Sequence, residues 1–170
     1  MKEKICCFTG HREIEKELEP YVREVLISIL SKLNVYGVTT YRAGGARGFD
    51  TLAEIEVLRM QKDAPEIKLD LCLPCKDQAS GWPISEQHLY NKILARARSY
   101  TYAELTYKPG CMHKRNRQLV DGADFCVAYF NGRSGGGTAY TVKYAEGRGV
   151  PVINLYPLAR EAKKFHEEGK

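Results

Sequence analysis

Short apolar runs alternate with amphipathic segments along most of this chain of 170 residues. The first run, KICCFTG at 4–10, is almost continuously apolar, as expected of a strand that is buried on both faces of a sheet. The segment after it repeats apolar side chains at the 3.6-residue spacing of a helix, and a β-branched and aromatic run, GVTTYRA at 37–43, follows. Strands that alternate with helices favour a mainly parallel sheet between helical layers.

The same alternation continues toward the C-terminus. Further strands are predicted at 67–74, 99–105, 124–130 and 150–156, and helices at about 49–61, 89–97, 112–122 and 138–149. The polar segment at 76–87 is predicted to be a surface loop. Because a chain of this length fits one domain, we predict a single three-layer α/β domain at 1–157 and a helical or frayed tail at 158–170.

The composition argues against several classes of protein. Lys and Arg total 26 against 21 Asp and Glu, and this net charge of +5 mildly favours anionic partners without forming a dense basic arm. The apolar runs fall short of the roughly 18–20 residues of a membrane span, and the N-terminal run is too short for a signal peptide. We therefore expect a cytoplasmic protein with no membrane partner; whether it forms homo-oligomers stays open.

The six cysteines are expected to be reduced and to behave as small apolar side chains. CLPC at 72–75 has the spacing of a metal or redox pair. A zinc site would need two more ligands, for which Cys111 and His113 are the candidates, and a redox pair would stand at a helix start rather than in an extended segment. We predict no metal site and no required cofactor.

Glycine-rich loops follow three of the predicted strands: FTGHR the first, RAGGARGFD the second and NGRSGGGT the fifth. In open parallel sheets, ligands bind outside the carboxyl ends of the strands, near the point where the strand order reverses. Glycine lets a phosphate approach the unpaired N–H groups of a helix N-terminus. The loops match neither GxxxxGK[ST] nor GxGxxG, which argues against a conventional ATPase or dehydrogenase.

These loops supply most of the candidate ligand-binding residues. They are Thr9, Gly10, His11, Arg12, Gly44, Gly45, Ala46, Gly48, Gly135, Gly136, Gly137 and Thr138. His11 is open to the roles of general acid, ligand contact or hydrogen-bonded loop residue, of which we favour contact. Arg12 would pair with a phosphate or with a surface carboxylate.

Two carboxylates and one aromatic side chain have alternative interpretations. Asp50 and Glu54 are four residues apart and share a helix face, where a carboxylate beside a sugar would accept ribose hydroxyls or stabilise an oxocarbenium-like centre. Alternatively, Asp50 is a helix-start residue favoured by the helix dipole and Glu54 a solvated side chain. Trp82 would stack on a base or anchor its loop against the sheet edge.

The chain resembles the YpsA-like family in several stretches that occur in the same order: CFTGHR, GGARGFDTLAE, LPCKDQASGW, CMHKRNRQLVDGAD and GGGTAYTVKYA. The resemblance runs from about Ile5 to Leu155. This family belongs to the SLOG superfamily of Rossmann-like proteins, together with the DNA-processing protein DprA and the LOG enzymes. The resemblance implies a Rossmann-like domain with a nucleotide-type ligand between the glycine loops.

The LOG enzymes are phosphoribohydrolases with the hallmarks MHxRK and PGGxGTxxE. MHKRN at 112–116 is similar to the first hallmark, which puts Arg115 at the arginine position and Asn116 at the lysine position, and the resemblance implies that both bind ligand. Alignment of Gly137 and Thr138 with GT puts Thr141 at the position of the catalytic glutamate. Because a threonine cannot supply a negative charge, the chain keeps the phosphate cradle and lacks the familiar carboxylate.

Three hypotheses follow. The leading one is a module that binds or senses a nucleotide such as NAD, ADP-ribose or a similar compound. The second is an enzyme acting at an N-glycosidic bond, with Glu54 or Asp50 in place of the missing carboxylate. The third, by analogy with DprA, is a DNA-binding protein, which the modest charge disfavours because no basic cluster extends beyond HKRNR at 113–117.

Overall fold

A computed structural model describes residues 2–169 of the chain. The strands are β1 (Lys4–Gly10), β2 (Val38–Ala43), β3 (Lys68–Leu73), β4 (Ser99–Tyr102), β5 (Phe125–Tyr129) and β6 (Val152–Asn154). The helices are α1 (Glu19–Tyr36), α2 (Phe49–Asp63), α3 (Ile84–Arg96), α4 (Cys111–Val120), α5 (Gly136–Gly147) and α6 (Leu155–Glu168). The predicted α/β fold with a parallel sheet is confirmed.

Adjacent side chains of β1 enter different hydrophobic clusters, because successive residues of a strand point to opposite faces of the sheet. Cys6 and Phe8 pack with α1, α2 and α6, whereas Cys7 packs with Leu119, Val120 and other side chains of α4, α5 and β5. Burial on both faces explains why β1 reads as a continuous apolar run rather than as an alternating one.

The strand order across the sheet is β4-β3-β2-β1-β5-β6, and the paired strands are parallel. The chain moves outward from β1 to β4 at one edge, and α4 then returns it to β5 on the other side of β1. The strand order therefore reverses between β1 and β5. This reversal leaves a crevice at the carboxyl edge of the sheet, because the connections after β1 and β5 leave in opposite directions.

Several boundaries differ from the sequence-based prediction. β4 ends at Tyr102 rather than 105, since its partner strand ends at Leu73, directly before Pro74. α3 begins at Ile84, within the segment that was predicted as a loop.

The C-terminal helix begins at Leu155, inside the segment that was predicted as a sixth strand. The Asn154 side chain accepts a hydrogen bond from the Tyr156 N–H at 3.2 Å, which is a helix N-cap. Leu155 and Ala159 are fully buried in the larger cluster, so the start of this helix is part of the domain core. The predicted domain begins at residue 1 and the predicted tail ends at residue 170, and both of these residues lie outside the described part of the chain.

No helix in the described part of the chain has both the length and the apolar character that a membrane crossing needs. The cytoplasmic location stays a prediction.

Candidate functional site

A cleft of ≈ 760 Å³ lies at the carboxyl edge of the sheet, where the strand order reverses. This volume falls within the roughly 300–1,000 Å³ typical of small-molecule sites. The end of β1 contributes residues 9–12, α4 contributes Arg115 and Asn116, and the start of α5 contributes residues 135–138. Asp50 and Ala46 reach it from the side of β2.

The fifth-strand loop, residues 131–137, presents open backbone to this cleft. Gly135 and Gly136 have φ of 80° and 85°, a region that side-chain-bearing residues rarely adopt. Both glycines are exposed, and no heavy atom of the described residues lies within 4 Å of where a Cβ would stand. No side chain of the described residues caps the N-terminus of α5. Its first N–H groups are therefore free to bind an anion.

In the second-strand loop, residues 44–48, the N–H groups of Gly45 and Ala46 are already occupied. The Gly45 N–H donates to Glu54 Oε1 at 2.9 Å, and the Ala46 N–H donates to Asp50 Oδ2 at 3.2 Å. A Cβ on Gly44 would stand 2.5 Å from Arg115 Nη1 and 2.9 Å from Asp50 Oδ2. These glycines therefore let the loop pack tightly beneath the cleft rather than line it.

Arg115 joins this packed loop to the cleft. Its side chain is 5% exposed; Nε donates to Asn116 Oδ1 at 2.8 Å and Nη1 donates to the Gly44 carbonyl. Burial lowers the pKa of Arg115, and the charge of Asp50 opposes that shift. Because an arginine stays protonated in proteins, the site holds a fixed buried positive charge beside Asp50.

The two candidate carboxylates of α2, Asp50 and Glu54, lie in different surroundings. Asp50 is 5% exposed and lines the cleft; burial raises its pKa, and Arg115 and the N–H groups of the second-strand loop oppose the rise. Glu54 is 2% exposed and lies outside the cleft lining. Burial, and then the charge of Asp50, raise the pKa of Glu54 well above its ordinary range. Glu54 is therefore a buried partner of the loop backbone rather than a solvated side chain.

His11 holds the β1 and β5 connections together. Its Nε2 accepts a hydrogen bond from the Asn131 N–H at 3.1 Å, and its carbonyl accepts one from the Phe49 N–H at 3.1 Å. Burial, and then the charge of Arg133, lower the pKa of His11. The neutral ring with its proton on Nδ1 fits this contact. His11 thus lines the cleft in its uncharged form.

Trp82 lies outside the cleft lining. Its ring packs edge-to-face on Tyr90 at 5.4 Å, and the Arg47 guanidinium lies 6.0 Å from its centre. It borders a smaller pocket of ≈ 260 Å³ next to the cleft.

Other cleft residues were not identified from the sequence. Met112 and His113, at the start of α4, and Arg133, in the fifth-strand loop, line the cleft with the predicted residues. His113 stacks on Tyr140 with 4.1 Å between ring centres. The sequence contains one signal that Met112 lines the cleft. Met112 stands four residues before Asn116, a predicted ligand-binding residue, and therefore shares its helix face.

The cysteines are spread over several elements: Cys6, Cys7, Cys72 and Cys126 lie in strands, Cys75 follows β3 and Cys111 begins α4. All six are free thiols, and residues 2–169 contain no group of three or more His, Cys, Asp or Glu side chains arranged to hold a metal. Cys72 packs against the α4 and α5 side, and burial together with Asp77 raises the pKa of Cys75 to about 11. The absence of metal and of a required cofactor stays a prediction.

The YspA SLOG family, also written YpsA, matches residues 6–150. The chain belongs to this family. It is similar to a UPF0398 protein from Bacillus pumilus (strain SAFR-032), with 28% identity over 153 residues, covering 84% of this chain and 82% of the relative. It is also similar to the uncharacterized SPbeta prophage-derived protein YoqJ from Bacillus subtilis (strain 168), with 28% identity over 142 residues, covering 76% and 81%.

Solved structures confirm the fold. DNA processing protein A from Helicobacter pylori, which binds single-stranded DNA, superposes with a TM-score of 0.60 at 19% identity, over 88% of this chain. This chain spans 63% of the length of that protein. The protein TM1055 superposes with a TM-score of 0.57 at 20% identity, covering 88% of this chain and 72% of that one. At these identities the likeness concerns the fold alone.

Proposed function

We propose that this protein binds a nucleotide-derived ligand, such as NAD, ADP-ribose or a nucleoside phosphate, in the cleft and acts as a sensor of it. The observation that carries this proposal is the uncapped N-terminus of α5, whose exposed glycines face a cleft of ≈ 760 Å³. Free N–H groups and the positive end of a helix dipole form a phosphate site.

The cleft lining carries charges of both signs, including Glu13 and Glu15, and its arginines are the groups that would contact an anionic ligand. Arg12 and Arg133 are exposed side chains that line it, and neither belongs to an ion pair among the described residues. An arginine that reaches a phosphate makes short, charge-assisted hydrogen bonds. Arg12 and Arg133 are therefore the mobile phosphate contacts, whereas Arg115 is a fixed positive charge beneath them.

Sensing fits the site better than hydrolysis because of Thr141. This residue is fully buried, and its hydroxyl donates to the Gly137 carbonyl one helical turn earlier at 2.8 Å. The hydroxyl therefore supports the α5 N-terminus, and the position carries no charge that would stabilise an oxocarbenium-like centre.

Calorimetric titration with ADP-ribose and AMP tests the proposal, with chromatography of the same mixtures for released base. We expect saturable binding without enzyme-like base release, and weaker binding by Arg12→Ala. A charge-assisted hydrogen bond is worth about 1.5–3 kcal/mol, so the dissociation constant should rise at least about tenfold. Arg59→Ala, which removes an exposed arginine that does not line the cleft, is the control for loss of a positive charge. Absence of binding by either nucleotide would refute the proposal.

A second candidate, cleavage of an N-glycosidic bond, is favoured by the position of Asp50. It is the carboxylate of α2 that lines the cleft. Rapid base release that Asp50→Asn abolishes, and that Glu54→Gln spares, would establish this activity in place of sensing.

A single-stranded oligonucleotide serves as a third probe, since the arginine side chains that line the cleft would also contact a phosphodiester backbone.

A further inference from the structure

A second pocket adjoins the cleft on the side of β3. We name it the aromatic pocket; its volume is ≈ 260 Å³, and its lining includes Gln78, Trp82, Tyr107 and Met112. The volume lies just below the roughly 300–1,000 Å³ of complete ligand sites, so the pocket is sized for one part of a ligand.

The aromatic pocket and the cleft are neighbours. Arg12, Ala46 and Met112 line both of them, and a ligand that reached from the fifth-strand loop to Trp82 would pass these residues. The second-strand loop forms the floor between them. Because its packing against Glu54, Asp50 and Arg115 is tight, the distance between the two sites is fixed by the fold.

The side chains of the aromatic pocket suit a flat, unsaturated ring. The Trp82 ring is held by Tyr90 at 5.4 Å and by Arg47 at 6.0 Å, which fixes its orientation before any ligand binds. Tyr107 lines the pocket and is 63% exposed, so its ring is available to a ligand, and a thioether such as that of Met112 makes favourable contacts with aromatic faces. Gln78 adds an amide that can hydrogen-bond to the edge of a base.

We propose that the aromatic pocket binds the heteroaromatic base of a ligand whose phosphate lies on the fifth-strand loop. This inference rests on the proposed function and deepens it. The ligand is then a nucleoside phosphate. Sugar phosphates and inorganic polyphosphates, which have no base, bind with lower affinity. The base stacks between Trp82 and Tyr107, and the ribose spans the stretch beside Ala46 and Asp50.

Intrinsic fluorescence tests the proposal, because Trp82 is the single tryptophan of the chain. Titration with AMP should change the emission of Trp82 in step with calorimetric binding. Ribose 5-phosphate, which has the phosphate and sugar without a base, should bind more weakly and leave the emission unchanged. Stacking of one base on an aromatic side chain corresponds to an affinity gain of about tenfold.

The variant pair Tyr107→Ala and Tyr36→Ala separates the pocket from general effects. The two tyrosines are 63% and 62% exposed, and Tyr36 lies at the end of α1, outside both sites. We expect Tyr107→Ala to weaken AMP binding by about tenfold without changing the affinity for ribose 5-phosphate, and Tyr36→Ala to change neither. Trp82 also lines a further cavity of ≈ 290 Å³ together with Leu52 and Tyr90. Tyr107 does not line that cavity, so the Tyr107→Ala variant reports on the aromatic pocket.

The failures of the two proposals are distinguishable. AMP that binds with unchanged Trp82 emission and with equal affinity for the Tyr107→Ala variant would overturn the base site and leave the proposed function standing. No binding of AMP, ADP-ribose or ribose 5-phosphate would overturn both. Equal affinity for the two ligands would also overturn the base site, since the base would then contribute nothing.

Discussion

Two glycine-rich loops of this protein have similar compositions and different physical roles. In the second-strand loop the N–H groups of Gly45 and Ala46 donate to buried carboxylates, and a Cβ on Gly44 would collide with Arg115. In the fifth-strand loop Gly135 and Gly136 are exposed, and a Cβ there would meet no heavy atom of the described residues. The first loop is packed by side chains of α2 and α4, and the second is open to a ligand.

The comparison separates two reasons for glycine at a strand-to-helix connection. A glycine with no room for a Cβ lets neighbouring groups pack closely, and its substitution should destabilise the fold. A glycine with open space beside it lets a ligand approach the backbone, and its substitution should weaken binding. The environment of the absent Cβ distinguishes the two cases, whereas the count of glycines does not.

The largest expected effect is that of Arg115→Ala, which removes the positive charge that the packed loop holds. Asp50 would remain buried without its counter-charge, and the Gly44 carbonyl would lose its donor. Leaving a buried polar group without its partner costs about 1–3 kcal/mol for each group concerned. Urea denaturation should show this loss in the free energy of unfolding. Arg12→Ala, in the same cleft but exposed, should change the free energy of unfolding by less than about 0.5 kcal/mol. Equal losses in the two variants would contradict the division between a fixed and a mobile arginine.

A second prediction compares the two loops directly through Gly44→Ala and Gly137→Ala. Neither glycine has a positive φ, so the substitutions differ in the space available to the new methyl group. At Gly44 that methyl group would stand 2.5 Å from Arg115 Nη1, and at Gly137 its nearest neighbour would be Asn116 Nδ2 at 3.5 Å. Overpacking should lower the free energy of unfolding of Gly44→Ala by about 1–3 kcal/mol, seen as a lower Tm.

Gly137→Ala should keep the Tm of the parent protein and weaken AMP binding, because the methyl group narrows the approach to the α5 N-terminus. Calorimetry of the same two variants measures this second half of the comparison. A lower Tm for Gly137→Ala, or unchanged AMP binding, would refute the assignment of the fifth-strand loop to the ligand.

A third prediction concerns the pH dependence of the packed loop. The pKa of Glu54 is raised in the folded state above its ordinary value of 4.5, so its contribution to stability is fully present below about pH 4.5. Above that pH the unfolded chain releases the proton and the folded chain keeps it. The free energy of unfolding then falls by as much as about 1.4 kcal/mol per pH unit, until the pH passes the raised pKa.

Glu54→Gln should flatten this slope, because the amide oxygen still accepts from the Gly45 N–H and the side chain no longer titrates. Urea denaturation between pH 5 and about pH 8 measures the slope, and Glu146→Gln, at an exposed position of α5, is the control. An unchanged slope in Glu54→Gln would show that Glu54 is charged in the folded protein.

Local patterns in the sequence predicted most of the fold. β1 and β5 were predicted because strands buried on both faces read as continuous apolar runs. The start of α6 was missed, since Leu155 and Tyr156 continue the apolar run of β6 and the capping role of Asn154 depends on backbone geometry. The early start of α3 was missed because polar residues mask its apolar spacing.

The sequence by itself determined the layered parallel fold, the carboxyl-edge position of the glycine loops and the family of the chain, because spacing and motif order are local properties. Tertiary structure decided which loop is open. Glu54 and Asp50 point their oxygens at the second-strand loop, and nothing of that kind occupies the N–H groups of α5 among the described residues. Whether a backbone donor is free depends on which side chains the fold brings to it, and those partners are not encoded in the loop itself.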